Sequence, residues 1–91
     1  MTNTITPENW APRLADGIRL QYEAAQSGWV LLYPEGMVQL NQSATEILKL
    51  CDGTRQIDTI VKELETLFNA TGIESEIRQL ISEGQRRGWV T

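Results

Sequence analysis

Residues 29–53, WVLLYPEGMVQLNQSATEILKLCDG, place two hydrophobic periods back to back, and that switch limits what the chain can fold into. Residues 29–33 are apolar throughout, Tyr33-Pro34-Glu35-Gly36 is a turn sequence, and residues 37–40 alternate. From Ala44 onward, Ala44, Ile47, Leu48 and Cys51 fall at i, i+3, i+4 and i+7, which is one face of a helix. A strand period followed at once by a helix period calls for a small sheet lying against helices.

The flanks extend this pattern. Ile18, Leu20, Tyr22 and Ala24 alternate with Arg19, Gln21 and Glu23, which predicts a strand with one wet face over 18–24. Ala25, Gln26, Ser27 and Gly28 supply a turn into the central strand, 29–33. With no polar position, that strand needs both faces covered, or one covered and one met by a partner. Pro34 presets its φ, and Gly36 tolerates a left-handed backbone on the way into a third strand, 37–40. There Val38 and Leu40 share one face, Met37 and Gln39 the other. Ser43-x-x-Glu46 matches a capping box for the first helix, with Asn41 as a competing cap, and Asp52-Gly53 ends it with Gly53 left-handed at C′. A second helix, starting between Thr54 and Asp58 and running to about Phe68, aligns Ile57, Ile60, Val61, Leu64, Leu67 and Phe68. A third, opened by Thr71-x-x-Glu74 or by Ser75, carries Ile77, Leu80, Ile81 and Gly84 on one face and stops at Gly88. The predicted fold is α+β and winged-helix-like, a three-stranded antiparallel sheet followed by three α-helices. Residues 1–15, with Pro7, Pro12 and an isolated Trp10 that either docks or lies exposed, read as a flexible N-terminal arm before a domain at 16–91.

Composition narrows the chemistry. Eight Lys and Arg against 12 Asp and Glu, a net charge of −4, do not suit the binding of a phosphate backbone. No run approaches the ~20 apolar residues of a membrane span, and the N-terminal sequence has no basic start or apolar core to signal secretion. A cytoplasmic setting is therefore expected, compatible with the single cysteine. The chain has no histidine and no phosphate-binding, dinucleotide or metalloprotease motif, so no catalytic residue, metal or cofactor is expected. Cys51 continues an apolar stripe and reads as a buried small hydrophobe. Ser43 and Thr71 read as caps rather than nucleophiles. Glu63, Glu65, Glu74, Glu76 and Glu83 read as solvated faces, with Glu74 set to pair with Arg78 at i, i+4. As a small winged-helix regulator the chain would present its third helix to DNA, but Glu74 and Glu76 open that helix.

The third strand stands apart. Met37-Val38-Gln39-Leu40 lies at an edge and bears no charge, the usual guard against unwanted pairing. With the third helix alongside, it would form a groove of backbone groups on one wall and apolar side chains on the other, which suits the addition of a peptide strand. An open edge next to the 33–36 turn also suits a strand-mediated or domain-swapped homodimer.

The combination RLQYE, GWVLLYPEGMVQLN, ATEILKLCDG and IDTIVKEL resembles the pyrroloquinoline quinone (PQQ) biosynthesis protein D family, PqqD, most closely from Arg19 to about Leu64. The resemblance implies a peptide chaperone without catalytic activity that binds the precursor peptide PqqA and presents it to the radical SAM enzyme PqqE. That enzyme crosslinks a glutamate and a tyrosine of the peptide. It further implies that the leader adds antiparallel to the third strand and rests on the third helix. Carried onto this chain, the contacts would come from Gly36, Met37, Val38, Gln39, Leu40 and Asn41, with Ile77, Arg78, Leu80 and Ile81 opposite. The same module serving another peptide-modifying pathway is the alternative within this reading.

Overall fold

The computed structural model describes residues 9–91. Three strands, β1 (Arg19–Glu23), β2 (Gly28–Tyr33) and β3 (Gly36–Gln39), precede three helices, α1 (Gln42–Lys49), α2 (Ile57–Phe68) and α3 (Glu74–Arg86). The strands form one antiparallel sheet in the order β1-β2-β3. The register sets Leu20 opposite Leu31 and Leu31 opposite Val38, so one apolar row crosses the sheet beneath the helices. On the other face Val30 is also fully buried, outside the main core cluster. Its cross-strand neighbours are Gln21 and Gln39, and the Gln39 side-chain amide donates to the Gln26 side-chain Oε1. Both faces of β2 are thus covered, one of them by polar side chains.

The β1–β2 connection is a 3-10 turn, Ala24–Gln26, closed by Ser27 in the left-handed region at φ 53°. Pro34-Glu35 forms a two-residue link between the paired residues Tyr33 and Gly36. Gly36, expected to be left-handed, has φ 159° instead, close to extended, because it already belongs to the ladder.

Asn41, not Ser43, caps α1: its Oδ1 accepts from the Ala44 N–H at 2.7 Å. Both residues can cap, but Leu40 is still in the sheet, its N–H donating to the Trp29 carbonyl, so the first free position is Asn41. Asn41→Ala should cost about 1 kcal/mol, measurable as a lowered midpoint in urea at unchanged slope. Ser43→Ala should leave the midpoint nearly unmoved. The helix also ends earlier than Asp52-Gly53, at Lys49. Gly53 is left-handed (φ 84°) as expected, but its N–H bonds to the Pro12 carbonyl rather than closing the helix.

Ile47, Leu48 and Cys51 of α1 and its exit, Ile57, Ile60, Val61 and Leu64 of α2, and Ile77 and Ile81 of α3 meet Leu31 in one core. Cys51 is inside it, its thiol directed at the Ile47 carbonyl. Burial first, and then the Asp52 charge, push the thiol from the ordinary 9.0 to about 12. Because the folded value lies above the unfolded one, this stabilisation is intact below pH 9 and disappears as pH rises toward 12. At about 1.4 kcal/mol per pH unit the loss amounts to about 4 kcal/mol. Urea unfolding at increasing alkaline pH should show it in the wild type and not in Cys51→Ala.

The end of α2 departs from its periodicity. Leu67 is 60% exposed and Phe68 37%, bordering open grooves instead of filling the core. Neither Thr71 nor Ser75 caps α3: the N-cap position is Ile73, with no side-chain bond. Glu74 and Glu76 in the first turn compensate by opposing the helix dipole. The C-terminus closes as a Schellman motif: Trp89 N–H donates to the Gly84 carbonyl, Gly88 N–H to that of Gln85, and Gly88 is left-handed at φ 81°. Gly84 has to be small, since a Cβ there would come within 3.0 Å of Val90.

Residues 13–15 pair with the C-terminal residues 89–91. Arg13 N–H donates to the Thr91 carbonyl and Thr91 N–H to that of Arg13, while Ala15 N–H reaches the Trp89 carbonyl. Arg13 also bridges to Asp52. Pro12, Arg13 and Ala15, within the segment read as an arm, are therefore hydrogen-bonded to the rest of the domain, and Trp10 packs against the core. The remainder of that segment, residues 1–8, lies outside the described residues.

Candidate functional site

The bond from Leu40 N–H to the Trp29 carbonyl defines which way the edge faces. Inward-facing residues alternate along an antiparallel strand, so Val38, opposite Leu31, also directs its backbone groups at β2. Met37 and Gln39 direct their N–H and C=O groups away from the sheet. Among the described residues no strand covers that side. Gly36, Met37, Val38 and Gln39 carry no charge, and the Met37 side chain is 46% exposed.

A groove of about 560 Å³ begins at Asn41, just past this edge, and runs between α1 and α3. Ala44, Ile47, Leu64 and Ile77 form its floor, with Phe68, Ile73 and Leu80 as apolar walls. Its polar border is Ser43 on one side and Glu76, Gln79 and Glu83 on α3. The Glu83 carboxyl is held below the usual carboxylate range by Arg87 and then Arg86. A second hollow of about 580 Å³, between α1 and α2, is lined by Leu50, Leu64 and Leu67 with Glu46, Lys62 and Glu63. Size does not separate the two. The β3 edge does, since only the first hollow includes Asn41, the residue that follows it.

The structure brings most of the expected contact residues together. Gly36, Met37, Val38, Gln39 and Leu40 make up the edge, and Asn41 joins it to the groove, where Ile77 and Leu80 lie. Ile81 does not line the groove: it is 1% exposed and part of the core. Arg78 faces α2, its guanidinium on Asp58 at 2.8 Å and on Glu74 at 2.7 Å. With Arg86 and Arg87 on Glu83, every arginine of α3 and its C-cap is held by the chain's own carboxylates. Glu76, Gln79 and Glu83 were not anticipated as groove residues. Their i, i+3, i+7 spacing along the border of the Ile77–Leu80 stripe is the signal that would have found them.

Edge, groove and strand-then-helix order define a small winged-helix-like domain whose uncharged edge strand, β3, has no strand partner on its outer side among the described residues. The chain belongs to the family described as Coenzyme PQQ synthesis protein D (PqqD), whose sequence pattern matches residues 28–90. It is 44% identical over 73 residues to the "PqqA binding protein" of Methylococcus capsulatus, covering 80% of this chain and 78% of that protein. It is 42% identical over 89 residues to the protein of the same name from Rahnella aquatilis, covering 97% and 93%. Among solved structures it is similar to the PqqD truncation of Methylobacterium extorquens PqqCD, described as a functional and stand-alone RiPP recognition element. The TM-score there is 0.77, with 28% identity over 97% of this chain and 96% of that one. It is also similar to PqqD from Xanthomonas campestris, at TM-score 0.54 and 32% identity over 92% and 94%. The heterocyclase TruD shares the fold over 11% of its own chain, at TM-score 0.67 and 19% identity.

Proposed function

We propose that this protein is a non-catalytic, cytoplasmic binding module of PQQ synthesis. It captures the precursor peptide PqqA by strand addition to β3 and presents it to the radical SAM enzyme PqqE. The observation that carries this reading is the pair of outward-facing backbones, Met37 and Gln39, on an uncharged edge that leads into an apolar groove. Relatives 42–46% identical that bear the name PqqA binding protein support the choice of peptide. In an antiparallel arrangement the main chain of PqqA bonds to Met37 and Gln39, and its apolar side chains enter the groove between α1 and α3. No metal, cofactor, nucleic acid or membrane takes part in this role. The same edge can instead pair with a second copy of the chain, so peptide and self-association would compete for it.

Calorimetric titration with synthetic PqqA, followed by addition of PqqE, tests the reading. A saturable complex that PqqE binds more tightly than the free protein is the expected result. Absence of binding at high micromolar peptide would remove PqqA as the partner.

A further inference from the structure

The α3 border of the groove carries negative charge with no lysine or arginine among its lining residues. Of its two carboxylates, Glu83 is shared between Arg86 and Arg87. Glu76 is exposed and makes no ion pair among the described residues. Arg78, two positions on, cannot compensate it, being held on the α2 side by Asp58 and Glu74. Opposite stand the neutral Asn41 and Ser43. The groove thus pairs an apolar floor with one uncompensated anion on its rim.

We propose that the peptide recognised here carries a lysine or arginine that pairs with Glu76, adjacent to an apolar residue seated on Leu64, Ile73 and Leu80. This rests on the strand-addition reading, which also fixes the order. β3 runs from Gly36 toward Asn41, so an antiparallel peptide reaches Asn41 with the residues that precede its paired segment. The cation therefore lies N-terminal to the residues opposite Gln39 and Met37. A charge on an exposed rim acts on specificity and association rate more than on total affinity, so a moderate, salt-sensitive effect is the signature.

The test is titration of the full chain with synthetic PqqA at about 20 mM and about 0.5 M salt, using wild type, Glu76→Gln and Glu76→Lys. A set of peptides in which each basic residue is replaced in turn by glutamine completes it. Glu76→Gln should weaken binding about three- to fivefold at low salt, with the difference closing at high salt. Glu76→Lys should weaken it further. One peptide replacement should weaken binding to the wild type and leave binding to Glu76→Gln unchanged. Equal or tighter low-salt binding by both Glu76 variants would overturn the proposal, as would peptide replacements that all cost the two proteins the same. Gln39→Pro separates this from the underlying reading. If that variant binds like wild type, strand addition fails and the predicted order fails with it. If it does not bind while both Glu76 variants match wild type, only the cation pairing is overturned.

Discussion

Gln39→Pro is expected to abolish peptide binding in a protein that remains folded. Gln39 directs its N–H away from β2, so the substitution removes a donor the sheet does not use. The proline ring then stands where the added strand must approach. Losing that bond and blocking its neighbour should cost about 3 kcal/mol, about a hundredfold in affinity. Val38→Pro has the opposite profile. Val38 faces Leu31 across the β2–β3 ladder, so its N–H belongs to the fold, and the variant should lose cooperative unfolding. Circular dichroism melts and calorimetry on the two variants separate these effects. Normal binding by folded Gln39→Pro would remove the strand-addition account.

The second large effect is expected at Leu64. Its side chain is 1% exposed and forms floor for both hollows, so it is the partition between them as well as core. Leu64→Ala should cost about 3 kcal/mol, because α1 and α3 leave little freedom to collapse onto the space. Against a total of roughly 5–14 kcal/mol for a chain this long, that is a substantial fraction. The thermal midpoint should fall by more than about 10 °C. Phe68→Ala, which removes a groove wall 37% exposed, should lower it far less. Similar losses at the two positions would show that the partition is not where the stability resides.

How much of this was legible beforehand follows from what each signal encodes. The switch of hydrophobic period near Asn41 marks which residues face the core, and all six strands and helices form in the expected order, with different ends for α1 and α3. Periodicity says nothing about how far a neighbour extends, which is why Leu67 and Phe68 fit the α2 stripe yet border open grooves. It also cannot choose between two competent caps. Asn41 prevails over Ser43 because the Leu40–Trp29 bond ends the sheet one residue earlier, a tertiary fact. Arg78 illustrates the same limit at the site. Its pairing with Glu74 is written in the i, i+4 spacing, but Asp58 lies 20 residues away and turns the guanidinium from the groove. The open edge could be read in advance from its missing charge. Which of Val38 and Gln39 offers its N–H outward needed the register.

In the proposed function the backbone of Met37 and Gln39 is the peptide's docking rail. Amide hydrogen exchange, resolved by NMR with and without saturating PqqA, reads it directly. In the free protein the Met37 and Gln39 amides should exchange quickly, while those of Val38 and Leu40, bonded to β2, are already protected. Peptide should slow Met37 and Gln39 by about tenfold or more and leave their two neighbours nearly unchanged. Saturable binding with no added protection at Met37 and Gln39 would contradict the account.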